Sequence, residues 1–372
     1  MTGPISIIGA AGFVGTRLVE SLVLDGHRDV RAVVRAYRSV AALARFGPAV
    51  DVRLADAEDA EALASAVRGS AVVVNLTTGA PAGIVRSTRS ILQACAAAGV
   101  GRLVHLSSAV VYRDVPFPYP DDEAPPVTGH WMPYARAKAT AELWLREQMP
   151  TAACEVTVLR PGIVWGVRSP HTMDTVRALL EKRAYLVGRG EGVFNAVYID
   201  NLTACVRACC DDTGDASGFY NVGDDEFLTW RDFYSALAEP LGYDMARMPL
   251  VSGERFPWSA GAALDYARSL PVLNGLYPRL KARTPDAVKS RTKKRISGRY
   301  EYRVQAADYL SEPAVDRELW HLQRTRHQLP THKFASRFGF TPAVTFRDGI
   351  QRTLLWLSLQ GCVPTQTATL AR

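Results

Sequence analysis

Ile5-Ser6-Ile7-Ile8-Gly9-Ala10-Ala11-Gly12-Phe13-Val14-Gly15 opens the 372-residue chain: a β-branched run, a glycine-rich turn, then the helix-forming stretch Val14 to Leu24. A strand before and a helix after give such a turn its meaning. Its glycines let the backbone turn tightly, approach a pyrophosphate and pack helix on strand, and the helix N-terminus offers free N–H groups and a positive dipole end. Glycine also serves ordinary tight turns, so the motifs downstream carry part of the weight. The cofactor-binding residues expected from this region are Gly9, Gly12, Phe13, Val14 and Gly15, with Leu76 at the end of the fourth strand.

Working outward, short β-branched runs alternate with Ala- and Leu-rich stretches, the pattern of a parallel sheet covered by helices on both faces. Strands are expected at Ile5–Ile8, Val30–Val34, Val50–Leu54, Val72–Leu76, Leu103–Leu106 and Val156–Leu159, and helices near Val14–Leu24, Ala60–Val67, Ile84–Ala98 and Tyr134–Gln148. The expected fold class is α/β, a Rossmann-type doubly wound parallel sheet with a smaller C-terminal mixed α/β substrate domain. Residues 1–165 would form the dinucleotide-binding domain, with segments returning to it at about 192–222, and 166–372 mainly the substrate domain. Past Pro161 the alternation weakens. Helices are expected at Thr172–Glu181, Trp230–Pro240 and Phe346–Leu359, strands at Ala196–Ile199 and Phe219–Val222, and a long loop at Asp114–Pro133.

At the end of the second strand, Val33-Val34-Arg35-Ala36-Tyr37-Arg38 lacks the carboxylate that a site for NAD places on the ribose 2′-hydroxyl. Arg35 can stack on adenine and pair with a 2′-phosphate, with Arg38 as a second cation, which favours NADP over NAD. The alternative is that Arg35 is a plain surface residue. Asp56 could accept from the adenine amino group or cap the following helix.

Ser108 leaves the fifth strand at the sheet edge where open α/β folds bind ligands. Tyr134 and Lys138 lie one turn apart on one helix face. A phenol ionises near 10, so acting as a base near neutrality requires about 3 to 4 kcal/mol of phenolate stabilisation, which the Lys138 ammonium and a nicotinamide cation can supply. In the reducing direction Tyr134 would donate a proton to a carbonyl oxygen held by Ser108.

With these residues in place the chain resembles the extended short-chain dehydrogenase/reductase family, in its epimerase/dehydratase branch. The resemblance also includes Leu159-Arg160-Pro161-Gly162-Ile163-Val164-Trp165-Gly166, Val197-Tyr198-Ile199-Asp200-Asn201 and Tyr220-Asn221-Val222-Gly223. It implies catalytic roles for Ser108, Tyr134 and Lys138, with Lys138 also on the nicotinamide ribose. It further implies a cofactor pocket closed by Arg160-Pro161 and a homodimer through a helical face. Two departures stand out. Phe194 occupies the place where many nucleotide-sugar members carry an arginine for the substrate diphosphate, although Arg189, Arg183 or a basic stretch could replace that contact. Ile84 stands where the helix after the fourth strand often begins with asparagine. The expected function is hydride transfer at a secondary alcohol or ketone carbon, of a sugar nucleotide or a related biosynthetic intermediate. One alternative is an NADPH-dependent reductase of a hydrophobic hydroxy-ketone, as in hydroxysteroid dehydrogenases; another is a non-catalytic cofactor sensor.

The formal net charge of +7 suits an anionic ligand such as a dinucleotide, and much of the excess lies in Lys281–Arg299. That stretch lacks the interleaved aromatics of a nucleic-acid surface, so a solvated loop is expected rather than a nucleic-acid partner. Hydrophobic residues at 48% and charged residues at 22% are those of a folded globular chain. The first strand begins too near Met1 for a signal peptide, and no apolar run is long enough to span a membrane, so a cytoplasmic protein with a small-molecule substrate is expected. Peripheral membrane contact through Phe256–Arg299 stays open. Six cysteines without a Cys-x-x-Cys pair read as reduced thiols; Cys205 and Cys209 share a helix face but lack companion ligands, so no metal is expected.

Overall fold

The computed structural model describes residues 3–26, 29–112, 118–258, 308–309 and 313–362. The basic stretch Lys281–Arg299 and nearly all of the apolar segment before it lie outside the described residues.

Seven strands form one parallel sheet: β1 (Ile5–Ile8), β2 (Val30–Val34), β3 (Val50–Leu54), β4 (Val72–Asn75), β5 (Arg102–Leu106), β6 (Glu155–Pro161) and β10 (Gly218–Val222). Their spatial order is β10-β6-β5-β4-β1-β2-β3. The order reverses beside β1, so the glycine turn leaves the sheet at the switch point, where neighbouring crossovers diverge and open a crevice.

Side chains alternate across a strand, and here both faces are buried, which is why the strands read as continuous apolar runs. Ile5 and Ile7 of β1 and Val72 and Val74 of β4 meet Leu18, Val19 and Leu22 of α1 (Phe13–Leu24) and Leu202, Cys205 and Cys209 of α6 (Ile199–Asp211). Ile8 and Val73 face the other way, onto Leu63 of α2 (Ala60–Val67), Ile91 and Cys95 of α3 (Pro81–Ala98) and Leu145 of α4 (Pro133–Gln148). Each such side chain contributes roughly 1.5–3 kcal/mol by leaving water. All six cysteines are buried free thiols.

Helix α3 starts at Pro81, earlier than the apolar period indicates, because proline fits the first helical turn, where an N–H would have no intrahelical partner. The segment Ala196–Tyr198 (β9) does not return to the large sheet. It pairs with β7 (Ile163–Trp165), while β8 (Leu186–Val187) pairs with β11 (Leu250–Val251), so β10 is the strand that rejoins the sheet. Around these short pairs a separate core gathers Trp165, Phe194, Tyr198, Trp230, Phe233 and Tyr234 with helices α5 (Pro170–Leu180), α7 (Trp230–Ala238) and α10 (Phe346–Leu359). Gly349 of α10 lies so close to the ring of Trp165 that a Cβ would come within 2.7 Å of it. Asp200 binds Arg17 of α1 at 2.6 Å and Arg352 of α10 at 2.9 Å. The Val197 to Asn201 motif thereby joins the two cores. Helices α8 (Arg317–Leu322) and α9 (His332–Phe338) complete the described chain. Among the described residues no helix is long and apolar enough to cross a membrane.

Candidate active site

The turn after β1 is built by close backbone approach. Gly9 has φ +87°, and a Cβ on Gly15 would stand 2.3 Å from the carbonyl oxygen of Gly9, a distance no side chain tolerates. Gly12 begins α1 with no side-chain cap, which leaves the first N–H groups of that helix open to an anion. A cleft of about 420 Å³ runs from this turn across the sheet edge, lined by Gly9, Gly12, Arg35, Asp56 and Leu76 together with Ser39, Thr77 and Arg86. The cradle, the uncapped helix and Arg35 fit a dinucleotide.

Other expected cofactor residues sit elsewhere. Arg38 is exposed and outside the cleft lining, and Phe13 and Val14 are half-buried against the C-terminal core. Asp56 does not cap α2; Asp59 does, accepting from Ala62 N at 3.0 Å, while Asp56 accepts from Glu58 N in the preceding turn.

At the same carboxyl edge a second cavity, of about 240 Å³, brings together Ser108, Tyr134 and Pro161. The pleat separates two adjacent serines. Ser107 is buried and donates to Glu142 Oε2 at 2.8 Å, whereas Ser108 faces the cavity at the start of a short 3-10 turn. Pro133 starts α4, so Tyr134 lies in its first turn and Lys138 follows one turn later. Lys138 is buried and donates from Nζ to Leu106 O at 2.7 Å. Burial lowers its pKa to about 8, with Glu142 opposing the shift. Burial and then the nearby Glu318 carboxylate push the Tyr134 phenol up to about 12, so a lowering would have to come from the nicotinamide cation of the bound cofactor. The chain's own groups therefore hold the phenol protonated, because desolvation and a like charge both disfavour phenolate.

Arg160 does not reach the cavity. It is fully buried, paired with Glu142, and donates to Tyr112 Oη at 2.6 Å and Asp122 O at 2.7 Å, leaving Pro161 to form the wall. Phe194 is a core residue, stacked on Phe233 with ring centroids 4.2 Å apart and edge-on to Trp230 at 4.8 Å. Ile84 is buried with Ala137 and Ala141 beneath α4.

The cavity also takes residues that no motif announces: Tyr119 and His130 from the loop before α4, His171 from α5, Asn195 before β9, and Glu318 and His321 from α8. They converge from segments far apart in sequence, so spacing carries no signal for them. For Thr77, beyond β4, a polar turn directly after an apolar strand was the available signal.

A doubly wound sheet with a glycine turn at its switch point and a cavity at its carboxyl edge is the architecture of an NAD(P)-binding Rossmann protein. Residues 9–176 match a family model described as NAD(P)H-binding. That match spans the glycine turn, Ser108, Tyr134 and Lys138, and beyond it the chain is similar in sequence to reductases, hydroxysteroid dehydrogenases and epimerases. It is 27% identical over 370 residues, covering 94% of this chain and 97% of the relative, to a 2-alkyl-3-oxoalkanoate reductase of Stenotrophomonas maltophilia. A 3 beta-hydroxysteroid dehydrogenase/Delta 5-->4-isomerase of Mycobacterium tuberculosis is 28% identical over 69% of this chain and 74% of its own length. The fold is similar to that of a dTDP-glucose 4,6-dehydratase from Streptomyces venezuelae solved with NAD bound, with TM-score 0.67 and 20% identity over 97% of this chain and 99% of that one.

Proposed function

We propose that the chain is an NADP-dependent oxidoreductase that transfers a hydride at a secondary alcohol or ketone carbon, with Ser108, Tyr134 and Lys138 as its catalytic residues. The observation that carries this reading is the meeting of Ser108 and Tyr134 on one cavity, with Lys138 buried one turn further along the tyrosine's helix.

The bound nicotinamide would supply or accept the hydride. Gly9, Gly12 and the open N-terminus of α1 would hold the pyrophosphate, Arg35 the 2′-phosphate, and Lys138 the nicotinamide ribose. Ser108 would hold the substrate oxygen by a hydrogen bond, and Tyr134 would donate its phenolic proton to that oxygen as the carbonyl is reduced. Burial keeps Tyr134 in the protonated form that this role requires near neutral pH.

For the substrate, the whole-length similarity to a 2-alkyl-3-oxoalkanoate reductase supports a ketone with an apolar body, and the partial similarity to a hydroxysteroid dehydrogenase supports an uncharged one. The likeness in fold to a dTDP-glucose dehydratase keeps a sugar nucleotide as the second reading, and Phe194 speaks against it, since a ring buried in the core offers a diphosphate no charge. We also propose a homodimer in the cytoplasm, and a dinucleotide-binding part over residues 1–165 with the returning β10, 166–372 being mainly substrate-binding.

The test is NADPH consumption against a panel of ketones by the wild-type protein and Tyr134→Phe. Loss of a general acid lowers the rate by about 10²–10⁴-fold; an unchanged rate on a genuine substrate would overturn the mechanism.

A further inference from the structure

The catalytic cavity does not end behind Tyr134. It shares His171, Glu318 and Leu322 with a second cavity of about 530 Å³ that runs between α5 and α8 to Tyr185 and Tyr234. The two cavities adjoin at these three residues, and a substrate spanning both would have a reacting end at Tyr134 and a body end at Tyr185 and Tyr234.

The charge along this joined surface is one-sided. Among the described residues the acidic and basic side chains lining it, histidines aside, are Asp174, Asp316, Glu318 and the single cation Arg183. Arg183 is bound to Glu181, so its charge is already matched. Asp174 has a partial partner in Arg177 at 3.1 Å, and Asp316 caps α8 by accepting from Leu319 N at 2.8 Å. Glu318 stands at the junction, and it is the carboxylate whose charge is felt by Tyr134. Among the described residues, a diphosphate bound here would face these carboxylates without the paired cations that phosphate recognition needs.

The junction carries a second indication of the ligand. His171 is wedged among Phe194, Trp230 and Phe233, burial lowers its pKa to about 4, and its Nε2 has no hydrogen-bond partner among the described residues. A neutral imidazole suits a neutral polar group, and the surrounding rings suit an apolar body.

We propose that Glu318 is a charge filter that makes the joined cavities accept an uncharged alcohol or ketone, its body reaching past Glu318 towards Tyr185 and Tyr234, and refuse nucleoside diphosphates. The inference rests on the hydride-transfer reading of Ser108 and Tyr134 and adds the substrate's charge class to it.

The experiment uses the full chain loaded with NADPH. UDP and UDP-glucose are titrated calorimetrically, and uncharged monocyclic and bicyclic ketones are assayed by NADPH consumption. Wild-type protein is expected to reduce neutral ketones and to bind UDP weakly or not at all, with any binding strengthening as salt screens the repulsion. Glu318→Gln is expected to bind UDP about tenfold more tightly than wild type, while Glu318→Asp stays at the wild-type level. Asp174→Asn, farther from the reacting end, should give a smaller gain in the same direction and serves if Glu318→Gln does not fold. Tight UDP-glucose binding by the wild type that weakens with salt, or a UDP affinity unmoved by both substitutions, would overturn the filter. Failure of the protein to bind NADPH, or full turnover by Tyr134→Phe, would instead remove the hydride-transfer reading on which it rests.

Discussion

Arg160 and Glu142 form an ion pair in which both side chains are fully buried, in the core behind the cavity lined by Ser108 and Tyr134. The pair is tied further: Ser107 donates to Glu142, and Arg160 donates to Tyr112 and to the Asp122 carbonyl. Because Glu142 is on α4 and Arg160 on β6, this network fixes the height of the helix that carries Tyr134 and Lys138. Removing one partner leaves a buried charge uncompensated, so Glu142→Ala should lower stability by about 3 to 5 kcal/mol. The double variant Glu142→Leu with Arg160→Met should recover most of that loss. Urea unfolding measures both, and a loss for Glu142→Ala below about 1 kcal/mol would show that the pair is solvated.

Lys138 should set the alkaline limit of ketone reduction. Its folded pKa, lowered by burial to about 8, lies below the ordinary lysine value, so the unfolded chain binds this proton more tightly than the folded one. Between about pH 8 and pH 10 the wild type should therefore gain stability relative to Lys138→Met, which carries no such group. Over the same range kcat/KM for reduction should fall in the wild type as the ammonium is lost, and that inflection should vanish in Lys138→Met. Thermal melts and pH–rate profiles of the two proteins check the two halves separately; parallel profiles would exclude the role.

Arg35 and Arg38 are separable. Arg35 lines the dinucleotide cleft and Arg38 is outside its lining, although the two are only one turn of chain apart. Arg35→Ala should lower the preference for NADP over NAD by about tenfold or more, the value of a charge-assisted contact of roughly 1.5–3 kcal/mol. Arg38→Ala should leave the ratio within about twofold of wild type. Fluorescence titration with both cofactors decides it, and the reverse ranking would move the 2′-phosphate contact to Arg38.

Gly15 tests the close approach in the turn. A methyl group at this position would meet Gly9 O at 2.3 Å and Ala10 Cα at 2.8 Å, both backbone atoms that cannot swing away. Gly15→Ala should cost about 1–3 kcal/mol or more of stability and should weaken dinucleotide binding, because relief requires the turn to open. Gly12→Ala, whose added carbon would sit 3.2 Å from Gly9 O, should be milder. Calorimetric melts with and without cofactor distinguish the two effects.

The most legible parts of the fold were those with local causes. Strands β1, β2 and β3, helix α2 and helix α10 have the bounds that apolar periodicity indicates, since a strand buried on both faces or a helix with one apolar face is written in consecutive residues. The separate pairing of β9 with β7 was not legible, because three apolar residues carry no instruction about which partner they will find. The same limit applied to Arg160, which motif resemblance placed near the cofactor and the core claimed for its own hydrogen bonds.

Sequence alone determined the glycine turn, the alternating elements around it and the helical spacing of Tyr134 and Lys138, all of which depend on neighbours within a few residues. Tertiary structure decided the surroundings of Tyr134. Glu318 and His321 come from α8, His171 from α5 and Asn195 from the approach to β9, and their meeting around one cavity follows from how the two cores pack. Burial and a carboxylate brought near by the fold, Glu318, then push the Tyr134 phenol up. Such effects depend on dielectric surroundings and charge separation in space, quantities that residue order constrains only after the chain has folded.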